Sequence, residues 1–249
     1  MTEEKKSNYK TIMTEDGSKT LYSALFQEAC HSKTGAIEET HIHYIRGCRI
    51  KELAKIYDPL FILEVGFGAG VGFKETAKFF AKSQNKIMFF SFEIDLELIR
   101  LFEKNEGIQF VQVDNHYHYV HDNVELVVLQ GDARKEIKKL IAKKNRFHAI
   151  YQDAFSPKRN SSLWTKQWFE DLYLVSHPKA LMSTYSASSS IRKAMLAAGW
   201  KLSTGEKFGP KRSSTRAKKT GETQQDILKK LERSPAITLT DENYKTYKL

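Results

Sequence analysis

The sequence predicts an α/β fold: a mostly parallel sheet with helices on both faces, preceded by an N-terminal β-hairpin extension. Three observations carry the prediction. From Leu60 to Ala198, short apolar runs alternate with amphipathic stretches of helical period, the order that βαβ units leave in a chain. Two of the runs, Ile87-Met88-Phe89-Phe90 and Leu126-Val127-Val128-Leu129, are apolar throughout, as strands covered on both faces should be. The run ending at Leu63 passes through Gly66, Gly68 and Gly70 directly into a helix-like segment, a strand, tight turn and helix N-terminus in succession.

In chain order, Tyr9 to Met13 and Lys19 to Tyr22 flank Asp16-Gly17, a hairpin signal. After a polar stretch a helix is expected from Arg46 to Tyr57, stopped by Pro59, which lacks the N–H a helix needs. Strands are expected at Leu60–Glu64, Ile87–Glu93, Glu125–Gln130, Phe147–Gln152 and Ala180–Tyr185. Helices are expected at Phe73–Lys82, Leu96–Asn105, Ala133–Lys144, Ser162–Val175 and Ser188–Ala198. Ser213 to Glu222 is polar and reads as a mobile stretch, and Thr223 to Arg233 as a short helix ending before Ser234-Pro235. The expected division is a hairpin extension over residues 1–45, one α/β domain over 46–222, and a C-terminal helix and tail over 223–249.

Composition narrows the class. A chain of 249 residues with 41% apolar and 28% charged residues has the make-up of a globular protein with a substantial core. No window approaches the roughly 20 apolar residues of a membrane span, and Met1 to Lys10 lacks the apolar centre of a signal peptide. Two cysteines without a pairing pattern, Cys30 and Cys48, imply reduced thiols and a cytoplasmic protein with no membrane partner. Net charge is +10, concentrated where Lys201, Lys207, Lys211, Arg212, Arg216, Lys218 and Lys219 stand against one acid, Glu206. Such a segment is either the footprint of a polyanion or a solvated basic surface.

The glycine spacing discriminates between ligands. A dinucleotide fingerprint requires glycine where Val71 stands, which disfavours NAD and FAD. Glu64-x-Gly66-x-Gly68-x-Gly70 is instead the first motif of Rossmann-like class I S-adenosylmethionine-dependent methyltransferases. Ligands in open α/β sheets sit beyond the carboxyl ends of the strands, where four acids fall: Glu64, Glu93, Asp132 and Asp153. Glu93 is placed for ribose hydroxyls and Asp132 for an adenine amine, and Glu64 would orient the loop; Asp132 could equally be a helix cap. Asp153 opens Asp153-Ala154-Phe155-Ser156-Pro157 after the fourth strand. A carboxylate there can hold an amine in line with a methyl group, and Phe155 can stack on a base, while the plain alternative is a capping turn. His116, His118 and His121 fit no standard metal spacing and read as exposed loop residues. His41 and His43 would share a face if their segment is a strand. Trp164, Trp168 and Tyr173 read as helix-to-sheet packing, with Trp164 also bordering the pocket.

Three segments then occur in a telling order: Glu64-Val65-Gly66-Phe67-Gly68-Ala69-Gly70; Tyr151-Gln152-Asp153-Ala154-Phe155-Ser156-Pro157 with Asn160 and Leu163-Trp164-Thr165; and Phe208-Gly209-Pro210-Lys211-Arg212. Together they resemble the methyltransferase domain of the tRNA 5-methylaminomethyl-2-thiouridine biosynthesis family. Asp16-Gly17-Ser18, Thr20-Leu21-Tyr22-Ser23, and His31-Ser32-Lys33 with Gly35, Ala36 and Glu39 resemble the same family's leader.

The resemblance implies S-adenosylmethionine as donor, without metal or FAD. The acceptor it implies is 5-aminomethyl-(2-thio)uridine at the wobble position of the tRNA anticodon loop. It assigns Glu64, Gly66, Phe67, Gly68, Gly70, Glu93, Asp132 and Asp153 to the cofactor and catalysis to Asp153. Substrate contacts are then expected at Phe155, Trp164, Arg192, Lys211 and Arg212. It also implies a monomeric stand-alone methyltransferase, served by separate upstream enzymes or an oxidase. Two departures stand out: Ala69 and Gly72 replace the usual threonine and asparagine, and Ser213-Ser214-Thr215 replaces an apolar closing strand. Rival functions are a methyltransferase or aminopropyltransferase for another amine, and a non-catalytic RNA-binding module on the same fold.

Overall fold

A computed structural model describes residues 7–209 and 213–246. Tyr9–Met13 (β1) and Lys19–Ser23 (β2) pair antiparallel across the Asp16-Gly17 turn, and Glu28–Ala29 (β3) adds to β2. Ala36–Thr40 (α1) runs into a π-helical turn, His41–Ile45, and Ile50–Ala54 (α2) follows. The single helix expected from residue 46 to 57 is therefore displaced and broken. Arg49 adopts a left-handed conformation (φ 51°), and a Cβ at Gly47 would stand 1.8 Å from the His43 carbonyl, so the chain reverses tightly there. His41 and His43 lie in the π-turn rather than on a strand, with His43 buried and His41 Nε2 3.1 Å from Glu75.

The α/β body follows: Leu60–Val65 (β4), Val71–Phe80 (α3), Ile87–Glu93 (β5), Leu96–Glu106 (α4), Val111–Val113 (β6), His116–His121 (β7) and Val124–Gln130 (β8). Then come Ala133–Ala142 (α5), Phe147–Gln152 (β9), a 3-10 turn at Ser161–Trp164, Lys166–Val175 (α6), Ser176–Thr184 (β10), Ser189–Ala197 (α7), Lys201–Gly205 (β11), Ser214–Lys218 (β12) and Gln225–Glu232 (α8). The strands form one nine-stranded sheet in the order β11-β12-β10-β9-β4-β5-β8-β7-β6. The five middle strands are parallel and both ends antiparallel.

Alternation along the strands divides the core in two. On β4, Leu63 and Val65 join Ile137, Trp168, Leu172 and Ile191 under α5, α6 and α7. Leu60 and Ile62 face the other way, onto Leu53, Phe73, Ala77 and Phe102 of α2, α3 and α4. Burying a side chain of this size stabilises by about 1.5–3 kcal/mol.

Two polar segments depart from expectation. The histidines at 116, 118 and 121 lie on strand β7, because Tyr117, on the opposite face from His116 and His118, packs into the core. Residues 214–218, expected to be mobile, form β12, with Ser214, Thr215 and Ala217 buried between β10 and β11. Both cysteines are free thiols. Among the described residues no helix is long and apolar enough to cross a membrane.

The order of the sheet switches direction at β4: β5 and β8 lie to one side, β9 and β10 to the other. This opens a crevice beyond the carboxyl ends of the strands. The hairpin sheet packs over it. Tyr9 Oη donates to Asp95 Oδ2 (2.8 Å) at the cap of α4, the Ser156 N–H donates to Glu28 (2.8 Å), and the Phe26 ring stacks on Phe155 with centroids 4.4 Å apart.

Candidate active site

Two adjoining cavities occupy the crevice. The smaller, about 270 Å³, is bordered by Gly66 and Gly68, by Glu93 and Ile94 after β5, by Gly131 and Asp132 after β8, by Asp153 after β9, and by Phe26 and His31 from the extension. The larger, about 670 Å³, opens between the extension, the loop from Ala154 to Lys158, and Tyr185 to Ser188. Cys30, His31, Ala154 and Phe155 border both.

The glycines of the loop do different work. Gly66 (φ +100°) and Gly68 (φ +54°) face the smaller cavity in conformations costly for other residues; a Cβ at Gly66 would press on the Asp153 carbonyl at 3.0 Å. Gly70 borders neither cavity. Its Cβ would lie 2.3 Å from the Phe102 ring, so it is glycine for packing. Phe67, expected at the cofactor, is buried edge-on against Phe102 at 5.0 Å. Glu64 also lies beneath the loop: it accepts from Ser91 Oγ (2.7 Å) and fills the space where Gly72 would carry a Cβ. Burial pushes the Glu64 carboxyl up to about 8.

Glu93 faces the smaller cavity. Its carboxylate accepts from the Gly68 N–H (3.0 Å) and the Asp95 N–H (2.9 Å), tying the glycine loop to the start of α4. Burial, only partly offset by those donors, raises it to about 7. Asp132 caps α5 by accepting from the Arg134 N–H (2.9 Å) and borders the cavity as well, so the two readings of this residue coexist.

Asp153 borders the smaller cavity, flanked by two residues far away in sequence. Tyr44 Oη donates to its Oδ1 (2.6 Å), and His31 Nε2 stands 3.9 Å from Oδ2. Burial and the Asp153 charge hold the Tyr44 hydroxyl well above its usual range, so it stays a donor; burial lowers His31 to about 4, so it is neutral near pH 7. His31 is fixed through Nδ1 by Thr20 Oγ1 (3.0 Å). Spacing within the sequence marks neither Tyr44 nor Phe26. His31 was visible only as part of the leader resemblance.

Two expectations for substrate contacts change. Trp164 borders neither cavity: it is fully buried, and its Nε1 donates to the Phe155 carbonyl (2.8 Å), bracing the loop that Phe155 projects from. Arg192 is buried too, donating to Thr215 Oγ1 and the Ser214 carbonyl (both 2.9 Å), so it ties α7 to β12 and faces no phosphate. Lys211 and Arg212 lie outside the described residues. Elsewhere in the basic segment, Lys219 donates to the Tyr173 and Ser176 carbonyls and Arg216 pairs with Glu206 (2.8 Å). No group of three or more metal-ligating side chains occurs among the described residues.

A glycine cradle with its backbone open to a cavity, a carboxylate after β5 and an acid after β8 fit an adenosyl ligand. Residues 104–220 match the model of a family described as S-adenosyl-L-methionine-dependent methyltransferase. The fold and this match define the class: the protein is an S-adenosyl-L-methionine-dependent methyltransferase. The crystal structure of MnmC2 from Aquifex aeolicus is similar at 30% identity and a TM-score of 0.77, covering 98% of this chain and 82% of that one. The chain belongs to the MnmC methyltransferase family. It is 25% identical over 225 residues to the tRNA 5-methylaminomethyl-2-thiouridine biosynthesis bifunctional protein MnmC of Thiobacillus denitrificans, covering 83% of this chain and 36% of that protein. It is 27% identical over 224 residues to the uncharacterized protein MJ0670 of Methanocaldococcus jannaschii, covering 87% of this chain and 61% of that protein. The chain thus spans less than two thirds of the length of these two relatives.

Proposed function

We propose that the protein methylates the primary amine of 5-aminomethyl-(2-thio)uridine at the wobble position of tRNA, giving the 5-methylaminomethyl nucleoside. The observation that carries this reading is the position of Asp153. Asp153 borders the smaller cavity, while the two residues that follow it, Ala154 and Phe155, border both cavities. The relatives named for 5-methylaminomethyl-2-thiouridine biosynthesis support the choice of amine.

Gly66, Gly68, Glu93 and Asp132 would hold the cofactor, which when bound supplies a methyl group made electrophilic by its sulfonium. The chain's own residues prepare the nucleophile. A free alkylammonium has a pKa of about 10.4 and must shed a proton before its lone pair can react. Asp153 is positioned to take that proton, and then to hold a remaining N–H so that the lone pair points at the methyl. Tyr44 fixes the rotamer of the carboxylate. Phe26, Phe155, Ala154 and Cys30 give the passage apolar walls that favour the neutral amine.

The test is incubation with labelled S-adenosylmethionine and tRNA lacking the terminal methyl, followed by nucleoside analysis. Label in 5-methylaminomethyl-(2-thio)uridine is expected; label in any other nucleoside, or none in RNA, refutes the reading. Asp153→Asn should lower turnover by at least about a hundredfold while cofactor affinity changes by less than about fivefold; equal losses in both would remove Asp153 from catalysis.

A further inference from the structure

We propose that α8 docks the phosphodiester backbone of the RNA substrate, with Lys230 at the mouth of the larger cavity and Lys229 and Arg233 carrying the strand onward. This inference rests on the reading of the acceptor as tRNA. The starting observation is continuity. Lys230 borders the larger cavity together with Lys33 and Lys158, and it also borders a shallow groove of about 520 Å³ lined by Ser189, Asp226, Lys229, Arg233 and Ser234. A strand whose target nucleoside enters the cavity leaves it along this groove.

The helix is built for such a contact. Ile227 and Leu231 are buried, while Lys229, Lys230 and Arg233 are exposed on the last turn and the residue after it. Among the described residues none of the three pairs with a carboxylate, although Asp226 shares the groove and Glu232 the helix. In the basic run around residue 216, by contrast, Arg216 shares Glu206 with Arg46, and Lys219 Nζ is held by the Tyr173 and Ser176 carbonyls. Lys193 Nζ donates to the Ser234 (3.0 Å) and Ala236 (2.7 Å) carbonyls, which holds the end of α8 in place. Cations at a helix C-terminus also complement its dipole. That accounts for their sign, but not for Lys230 reaching the wall of the cavity. Contacts of this kind position the strand and read no sequence, leaving the choice of nucleoside to the cavity.

The test compares wild-type protein with the triple variant K229A/K230A/R233A and a control, K51A/K55A/K82A. The control removes three exposed lysines, one in α2, one just after it and one just after α3, on the opposite face of the sheet and without an ion pair among the described residues. Dissociation constants for tRNA lacking the terminal methyl are measured by filter binding across a salt series, and cofactor affinity by calorimetry. Each lost phosphate contact removes about 0.7–0.9 from the log–log salt slope. The excess Kd of the α8 variant over wild type should therefore shrink by about 20- to 40-fold between about 50 and 200 mM salt. The control should follow wild type, and cofactor affinity should be the same in all three. A wild-type slope in the α8 variant, or an equal change in the control, overturns the docking assignment. If wild type methylates tRNA but α8 proves irrelevant, only this inference falls. If wild type binds tRNA through α8 yet methylates no wobble uridine, the acceptor reading falls and the surface stands. If it binds no RNA, both fall.

Discussion

Glu93 offers the sharpest test of the cofactor site, because one carboxylate ties together the glycine loop, the start of α4 and the cavity. It accepts from the Gly68 and Asp95 N–H groups. On the proposed reading it also accepts from the ribose hydroxyls, so the ionised form is the binding form. Burial raises its pKa to about 7. At pH 6 roughly one molecule in ten is then ionised and at pH 8 roughly nine in ten, so cofactor affinity should rise about tenfold over that interval and level off above it. Glu93→Gln removes the titration and leaves one backbone N–H facing an amide NH2. A buried donor without an acceptor costs about 1–3 kcal/mol, which corresponds to roughly 5- to 150-fold weaker binding. Calorimetry with S-adenosylmethionine from pH 6 to 8 measures both effects. The ligand's own amino group ionises near this range, so the deciding quantity is the difference between wild type and variant. Parallel pH profiles in the two proteins, or an unchanged Kd in the variant, would refute the assignment.

Other perturbations follow from the same contacts. Tyr44→Phe removes the donor to Asp153 Oδ1; a hydrogen bond to a charged group is worth about 1.5–3 kcal/mol, so kcat should fall about tenfold or more with cofactor affinity nearly unchanged, as single-turnover kinetics would show. Arg192→Met leaves the Ser214 carbonyl and Thr215 without their donor; calorimetry should find Tm lower by about 5–10 °C, while the salt slope for tRNA stays that of wild type. Glu64 has its folded pKa raised from 4.5 to about 8, so the folded state binds the extra proton and stability is lost as pH rises through that window, on the order of 5 kcal/mol once the group is fully ionised. Thermal melts of Glu64→Gln should therefore show a flatter decline between pH 5 and 8 than wild type, and identical slopes would contradict the buried-acid account.

The parallel centre of the sheet could be read from sequence because its strands carry apolar runs, residues 87–90 and 126–129 most plainly. The antiparallel ends could not. β7 is His-Tyr-His-Tyr-Val-His, and β12 is Ser-Thr-Arg-Ala-Lys, whose buried Thr215 is satisfied by Arg192 and by the Ser186 carbonyl (2.6 Å) rather than by apolar contact. Hydrogen-bonded polar residues inside a sheet read as loop when only hydrophobicity is counted. At the site, the acids after the strands followed from the general rule for α/β sheets. Tyr44 reaches Asp153 across 109 positions, a juxtaposition no local spacing encodes. Charge density misled in another way. Within the densest basic run Arg216 meets Glu206 and Lys219 meets backbone carbonyls, while the less conspicuous Lys229-Lys230 pair stands open at a groove, because sequence records how many cations there are and not which ones find partners.

The place of β12 has a consequence for how the molecule is made. β11 leaves the ribosome first, yet among the described residues its one neighbour in the sheet is β12, which inserts between it and β10. Residues 201–205 therefore lack their native hydrogen-bonding partner until Lys218 has emerged, and this border of the sheet closes in a single late step. A nascent chain halted between these two strands would present the bare side of β10, an open invitation to pairing with another polypeptide.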